Sequence, residues 1–212
     1  MKPILFSGPM VRAILDGLKT QTRRVIKPQP SEGGLEWLEE SAGFAAWQDP
    51  CLLLDEHSED GGPCQRICPY GRVGDELWVR ETFQVSQESH EPDGHYNITY
   101  LADDEAVEID YSEIDMGRLT PGKKYPSIFM PRWACRLFLK ITDIRVEQLQ
   151  DINESDAIAE GIPVFAPKGV PHESTIPRKQ FAGLWDSINA KRGYGWDENP
   201  FVWVIQFKTT KG

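Results

Sequence analysis

Three stretches of alternating apolar and polar residues constrain the fold of this 212-residue chain more than any other feature. They cover residues 76–85, 137–149 and 201–207, and a fourth short stretch of the same kind covers 96–102. Successive side chains of a strand point to opposite faces, so each stretch predicts a β-strand with one face against a core. The chain is therefore expected to be built mainly on strands.

Three helices are predicted between these strands, over residues 7–16, 153–161 and 177–192. The first has Ser7 as a plausible N-cap and ends at Gly17, and Asn153 and Gly161 serve as N-cap and C-cap of the second. The expected inward-facing residues are Met10, Ile14 and either Val11 or Leu15 in the first helix, Ala157 and Ile158 in the second, and Phe181, Leu184, Trp185 and Ile188 in the third.

Composition limits the classes of function. The apolar fraction of 40% and seven tryptophans indicate a folded protein, and no apolar run approaches the ~20 residues of a membrane span. The first residues lack the features of a signal peptide, so a cytoplasmic location is expected and no membrane partner. A net charge of −10 argues against strong non-specific binding of duplex nucleic acid. A small nucleoside or a single flipped base is an easier partner.

The cysteines leave two interpretations open. Cys64 and Cys68, with Cys51 and His57 upstream, could suggest zinc, but their spacing is irregular and no second pair completes a usual set of four ligands. The alternative is reduced structural thiols, together with Cys135. The expectation is no metal and no cofactor.

The chain is expected to form a single domain over residues 1–212 with insertions near 25–70, 86–126 and 163–178. Breaker clusters separate apolar residues in the first insertion, which predicts an ordered segment rather than a linker. The acidic span 103–115 is interpreted as a solvated loop without a function.

The segment from Gly17 to Arg24 is the most informative for function. Lys19, Thr22 and Arg24 follow the end of the first helix, and a turn that brings them together would form a cluster able to bind an anion or a carbonyl group. In the alternative interpretation this is a basic strand edge, because lysine and arginine discourage edge-to-edge pairing.

The pattern Gly-x-Lys-x-x-Thr-x-Arg resembles the signature of the ASCH family, which belongs to the PUA-like superfamily. The threonine form is similar to that of the bacterial N4-acetylcytidine amidohydrolases. The segment Met130-Pro-Arg-Trp-Ala resembles one found in larger, often phage-borne ASCH proteins, and residues 201–207 resemble the closing strand of the family barrel. The resemblance implies an α+β fold, with a PUA-like β-barrel, short helices packed around it and long insertions.

The resemblance also implies a catalytic set of Lys19, Thr22 and Glu160. Residues 149–160 are similar to the amidohydrolase segment that contains an essential glutamate, and Glu160 occupies that position. A carboxylate in the last turn of a helix is unfavourable for the helix dipole, although such residues are common on surfaces. If the set forms, Glu160 is expected within salt-bridge or one-water reach of Lys19, and Thr22 Oγ is expected near the same ammonium.

Six further residues are candidates for substrate binding: Arg24, Trp78, Arg80, Glu81, Arg132 and Trp133. Glu81 interrupts an apolar strand face, which fits either a site residue or a carboxylate paired with a nearby arginine. Arg132 and Trp133 fit either a pair that stacks on a base or a tryptophan that fills the core beside a surface arginine.

Two functions from different classes are consistent with these residues. In the first, the protein hydrolyses an N-acyl amide on a modified pyrimidine nucleoside or base such as N4-acetylcytidine. In the second, it binds RNA, single-stranded nucleic acid or a modified base without turnover. A regulatory partner protein with a vestigial site is a third possibility.

Overall fold

The structure, a computed structural model, describes residues 1–30, 36–41, 44–48, 65–87, 96–109, 119–163 and 176–210. These residues form a mixed α+β fold. The helices are α1 (Gly8–Leu15), α2 (Glu154–Ala159) and α3 (Pro177–Asn189). The strands are β1 (Lys2–Leu5), β2 (Gln21–Val25), β3 (Glu36–Ser41), β4 (Phe44–Gln48), β5 (Gln65–Ile67), β6 (Glu76–Arg80), β7 (Phe83–Gln87), β8 (Tyr96–Tyr100), β9 (Glu105–Ile109), β10 (Lys124–Tyr125), β11 (Phe138–Gln148) and β12 (Phe201–Thr210).

The chain divides into two compact units. The first consists of Met1–Gly17, Glu76–Leu139 and Thr209–Gly212, and the second of Leu18–Asp75 and Lys140–Lys208. Each unit is described by itself below. A closed barrel is not seen among the described strands, since the hydrogen-bonded order of each sheet is open.

The first unit contains an antiparallel sheet in the order β10-β7-β8-β9 and a parallel pair of β1 with β6. Apolar side chains from β7, β8, β10 and the segment after it form its core. The buried members are Phe83, Val85, Ile98, Tyr100, Tyr125, Met130 and Ala134. In α1, Val11 and Ile14 are buried while Leu15 is exposed, which settles the open choice between Val11 and Leu15.

The single strand predicted over residues 76–85 is wrong, because the structure has two strands there, β6 and β7, that belong to different sheets. The break falls at Glu81 and Thr82. The Glu81 amide lies 3.3 Å from the Met130 sulfur, and the Thr82 carbonyl accepts from the Leu101 amide. The buried Glu81 carboxylate needs a charged partner, and it interrupts the alternation of apolar and polar residues at this point.

The interpretation of residues 103–115 as a solvated loop is also wrong in part. Residues 105–109 form β9, which pairs with β8, and the side chains of Asp103 and Glu105 bind Arg136. Residues 110–118 lie outside the described part of the chain. The charge run thus contains an edge strand whose acidic residues have a specific cationic partner.

The second unit contains the strand order β11-β12-β2 and the antiparallel sheet β3-β4-β5. Helices α2 and α3 pack on β12 and share one core with it. Its buried members are Leu149, Ile152, Ala157, Ile162, Phe181, Trp185, Val202 and Val204. The sheet β3-β4-β5 lies in the predicted insertion 25–70, of which residues 31–35, 42–43 and 49–64 are outside the described part.

The buried faces of α2 and α3 are narrower than predicted. Ala157, Phe181 and Trp185 are buried, but Ile158, Leu184 and Ile188 are exposed. Each helix packs on the shared core along a narrow stripe, so the residues beside that stripe face solvent.

No helix in the described part of the chain is long and apolar enough to cross a membrane.

We predict that Gly17→Ala lowers the free energy of unfolding by about 1 kcal/mol, because Gly17 has a φ of +72° with open space around it. Its amide donates to the Ile14 carbonyl and closes α1. Gly17→Asn should cost less, since asparagine tolerates this conformation better. Urea denaturation measures both changes.

Gly183→Ala is the matched control. Gly183 lies in the exposed middle of α3 with nothing near its missing Cβ, so alanine there should stabilise the protein by up to about 1 kcal/mol. Equal effects of alanine at both glycines would contradict a conformational role for Gly17.

Candidate functional site

Lys19 and Glu160 meet through the backbone as well as through their side chains. They form an isolated antiparallel bridge. The next residue, Thr20, donates its amide to the Ala159 carbonyl at 2.9 Å and accepts from the Phe207 amide at 2.9 Å. These bonds fix the segment before β2 between the end of α2 and strand β12.

The side chain of Lys19 makes two hydrogen bonds to one residue. Its Nζ donates to Oε2 of Glu160 at 2.8 Å and to the Glu160 carbonyl oxygen at 2.7 Å. Lys19 is 2% exposed and Glu160 is 6% exposed. The expected contact between these residues, which are 141 positions apart, is therefore present and shielded from water.

The structure shows how a carboxylate is tolerated at the end of α2. Asn153 caps the start of the helix by accepting from the Asp156 amide at 2.8 Å, and Gly161, with a φ of +90°, ends it. A carboxylate beside the last carbonyls is unfavourable alone. The Lys19 ammonium binds both the carboxylate and one of those carbonyls, so it removes the conflict.

Burial lowers the pKa of Lys19 below its ordinary value. Glu160 acts in the opposite direction, because a nearby anion favours the ammonium, and Arg24 and Arg23 lower the pKa further through repulsion. The net effect of burial and of these charges is a pKa of Lys19 below that of an exposed lysine. A lysine with a lowered pKa gives up its proton more readily than an exposed lysine does.

Arg23 binds the other oxygen of the Glu160 carboxylate. Its Nη1 lies 3.4 Å from Oε1 of Glu160, and its Nη2 lies 2.9 Å from a carboxylate oxygen of Glu147 and 2.9 Å from one of Asp156. Arg145 binds the same Glu147 and Asp156 from a more exposed position. The Lys19–Glu160 pair is thus the inner end of a larger ionic network.

Thr22 and Arg24 lie on the same strand as Arg23 but alternate with it. Thr22 is buried opposite Ile205 of β12, and Arg24 lies opposite Trp203. The guanidinium of Arg24 lies 6.0 Å from the ring centroid of Tyr70. Burial lowers the pKa of Arg24, against favourable interactions with Tyr70 and Glu160. Arg24 is therefore electrostatically coupled to the Lys19–Glu160 pair.

Glu81, in the first unit, is paired with an arginine. Its two carboxylate oxygens accept from Nε and Nη2 of Arg136 at 3.0 and 2.9 Å. The same guanidinium binds Asp103 and Glu105 and stacks 4.0 Å from the ring centroid of Tyr100. Burial raises the pKa of Glu81, although Arg136 opposes this shift. Burial also raises the pKa of Tyr100 to about 12.

The remaining candidates for substrate binding also lie in the first unit. Trp78 is buried, with the Arg80 guanidinium 4.8 Å from its ring centroid, and Arg80 donates to the Met130 carbonyl. Arg132 is exposed, and Trp133 packs against the core of this unit. The structure thus brings Lys19 and Glu160 into direct contact in the second unit, and Thr22 and Arg24 lie on β2 of the same unit.

The structure describes two of the four cysteines, Cys68 and Cys135. Cys68 is buried and Cys135 is partly buried, and no disulfide joins them. Cys51, His57 and Cys64 lie outside the described residues. No cluster of three or more metal-binding side chains occurs within the described residues.

The sequence-based list of candidate site residues does not include Arg23, Glu147, Asp156 and Arg136. Two of them had a detectable pattern. Arg23 lies two and four positions after Gln21 and Lys19, which places it on the same face of an extended chain. Asp156 lies four positions before Glu160, which places both on one side of α2. No local sequence pattern predicts the ion pair between Arg23 and Glu147 of β11.

Comparisons with known proteins assign no family to the chain. No family model matches it, and no curated protein matches it. The crystal structure of protein EF3133 from Enterococcus faecalis V583, described with the family model DUF984, is similar with a TM-score of 0.42 and 9% sequence identity. The match covers 100% of this chain and 82% of that chain. Similarity at this level assigns neither a fold family nor a function.

We predict that Arg136→Met lowers the free energy of unfolding by about 3–5 kcal/mol at pH 7.5, because Glu81 then remains buried without its cation. The loss should be smaller near pH 4.5. The folded variant holds the Glu81 proton more tightly than the unfolded chain does, so stability falls as the pH rises above the unfolded pKa. Urea denaturation at the two pH values measures the difference.

The double variant Glu81→Gln/Arg136→Met provides the control. It should be more stable than Arg136→Met at pH 7.5 and about equal to it near pH 4.5, since glutamine cannot ionise. If the two variants behave alike at both pH values, the cost does not come from an unpaired Glu81 carboxylate.

Proposed function

We propose that this protein hydrolyses an N-acyl amide on the exocyclic nitrogen of a modified pyrimidine nucleoside or base, as in N4-acetylcytidine. We also propose that its fold is the ASCH type of the PUA-like superfamily, on the basis of the sequence pattern around Gly17 and Arg24. The main support for the reaction is the buried Lys19–Glu160 contact, in which burial lowers the pKa of the lysine. A low lysine pKa is what a general base at this position requires.

In the proposed first step, Thr22 Oγ attacks the acyl carbon while neutral Lys19 accepts the hydroxyl proton. A threonine hydroxyl is a weak nucleophile unless a base removes its proton. The bond from Oγ to the acyl carbon forms, and a tetrahedral oxyanion develops. Arg24 is proposed to stabilise that oxyanion or to hold the base, because its cationic charge is close enough to interact with Glu160.

Collapse of this intermediate breaks the bond between the acyl carbon and the exocyclic nitrogen. The proton that Lys19 accepted passes to the leaving nitrogen, which departs as a neutral amine. Glu160 holds the Lys19 ammonium in this interval through its contact at 2.8 Å. A water molecule then attacks the acyl carbon of the threonine ester while Lys19 accepts a proton from that water. The bond between the acyl carbon and Thr22 Oγ breaks, Lys19 returns the proton to Oγ, and the carboxylic acid leaves.

On the basis of the sequence, we also propose five substrate-binding residues: Trp78, Arg80, Glu81, Arg132 and Trp133. Arg132 is the most available of them, since it is exposed. Glu81 is the least available, since Arg136 binds both oxygens of its carboxylate.

The experiment is incubation of the purified protein with N4-acetylcytidine, with cytidine and acetate measured by chromatography. Thr22→Val and Lys19→Met should each lower the rate by about 10²–10⁴-fold. Combining them should add little, because residues that act as one unit lose activity together. Thr20→Val is the matched control: Thr20 is an exposed threonine two positions before Thr22, so its change should leave the rate unaltered.

Two outcomes would contradict the proposal. One is no cytidine above the blank, and the other is equal activity of wild type and Thr22→Val. Binding of N4-acetylcytidine or of a short single strand without turnover, measured by calorimetry at two salt concentrations, would instead favour the non-catalytic binding module.

A further inference from the structure

Arg23 is a fully buried cation held by acidic groups from two elements. Its side chain has 0% exposure, and its Nη2 lies 2.9 Å from both Glu147 of β11 and Asp156 of α2. Its Nε has no hydrogen-bond partner among the described residues. The guanidinium also lies 5.9 Å from the ring centroid of Phe181 on α3. Such a group has little freedom to move.

The Glu160 carboxylate is held from two sides as a result. Lys19 binds Oε2 at 2.8 Å, and Nη1 of Arg23 lies 3.4 Å from Oε1. A carboxylate with a separate cation on each oxygen cannot rotate without losing one of them. Asp156 lies one helical turn before Glu160, so the same short helix supplies both the Glu160 carboxylate and an anchor for Arg23.

We propose that Arg23 is a positioning residue of this site, which holds the Glu160 carboxylate in the orientation that keeps Lys19 aligned for proton transfer. This inference rests on the proposed function. It assigns a role to the unspecified position of the Gly-x-Lys-x-x-Thr-x-Arg pattern between Thr22 and Arg24. Arg23 is not expected to touch the substrate, because its side chain is buried and already bound by three carboxylates.

Arg23 also has an electrostatic effect that can be measured separately. It is one of two arginines that lower the pKa of Lys19, and Arg24 is the other. Among the described residues, Glu160 after α2 and these two arginines on β2 act on Lys19 directly. Glu147 and Arg145 of β11 and Asp156 of α2 bind to Arg23 or to one another further out. Removal of Arg23 takes away one repulsive cation, so the pKa of Lys19 should rise.

The experiment compares Arg23→Met and Arg23→Lys with the wild type. Methionine removes the charge and the donors, whereas lysine keeps the charge but cannot reach three carboxylates with a planar fork. For Arg23→Met we expect kcat to fall about 100-fold with KM changed less than about threefold, since a small misplacement costs this much. The apparent pKa of the pH–rate profile should rise. For Arg23→Lys we expect a smaller loss of kcat with the apparent pKa near that of wild type.

Arg145→Met is the matched control. Arg145 binds Glu147 and Asp156, as Arg23 does, but has no contact with Glu160 among the described residues, and its side chain is 28% exposed. Its loss should change kcat less than about fivefold, because partly exposed ion pairs contribute little. A similar loss of kcat in Arg145→Met and Arg23→Met would show that Arg23 has only a structural role and would overturn the proposal.

A second readout does not depend on turnover. The ¹³Cε resonance of Lys19, assigned by its loss in Lys19→Met, reports the titration of Lys19 in each variant. Titration at the wild-type pH in Arg23→Met would overturn the proposal, and an upward shift would support it. If the wild type shows no hydrolysis at all, the proposed function fails while this titration still tests the contact. If Arg23→Met does not fold, Arg23→Lys provides the kinetic readout, and wild-type kcat in that variant would overturn the proposal.

Discussion

The burial of the Lys19 ammonium against Glu160 is the interaction on which the second unit depends. Placing either charge alone in the protein interior would cost several kcal/mol, so each is tolerated only because the other is 2.8 Å away. The backbone has to bring the two residues together before the side chains can pair. The bridge between them and the bond from Thr20 to Ala159 provide this constraint. The end of α2 and the start of β2 therefore stabilise each other, because the same contacts hold both.

The remaining ionic contacts follow from this constraint. Strand alternation puts Gln21 and Arg23 on the face of β2 that packs against α2 and α3, where Phe181 and Val204 are buried. A second cation on that face requires further anions, and Glu147 and Asp156 provide them. Lys19, the member of the group with the most easily lost proton, lies where both arginines repel it. The same packing that stabilises the fold thus also lowers the pKa of Lys19.

Local sequence predicted the elements of this site better than the network that joins them. The cap at Asn153, the stop at Gly161 and the alternation of β11 and β12 are local properties, and the structure contains each of them. The contact of Lys19 with Glu160 was expected from a family resemblance rather than from spacing. Ion pairs such as Arg23 with Glu147 join residues 124 positions apart, and no periodicity in the chain encodes such a pairing. The split at Glu81 was missed for a related reason: its partner, Arg136, is 55 positions away.

Two ionic clusters in the described part of the chain, one around Arg136 and one around Lys19, differ in a way that bears on their chemistry. In the first unit, Arg136 neutralises Glu81, Asp103 and Glu105. Arginine stays protonated at any pH a protein survives, so this cluster can hold a structure but cannot accept a proton. In the second unit, arginines bind the outer carboxylates, and Glu160 has a lysine on one oxygen besides Arg23 on the other. Lysine can give up its proton when it is buried, so an arginine in its place would preserve the charge and remove the base. Of the two clusters, the one that contains Lys19 is therefore the one suited to proton transfer.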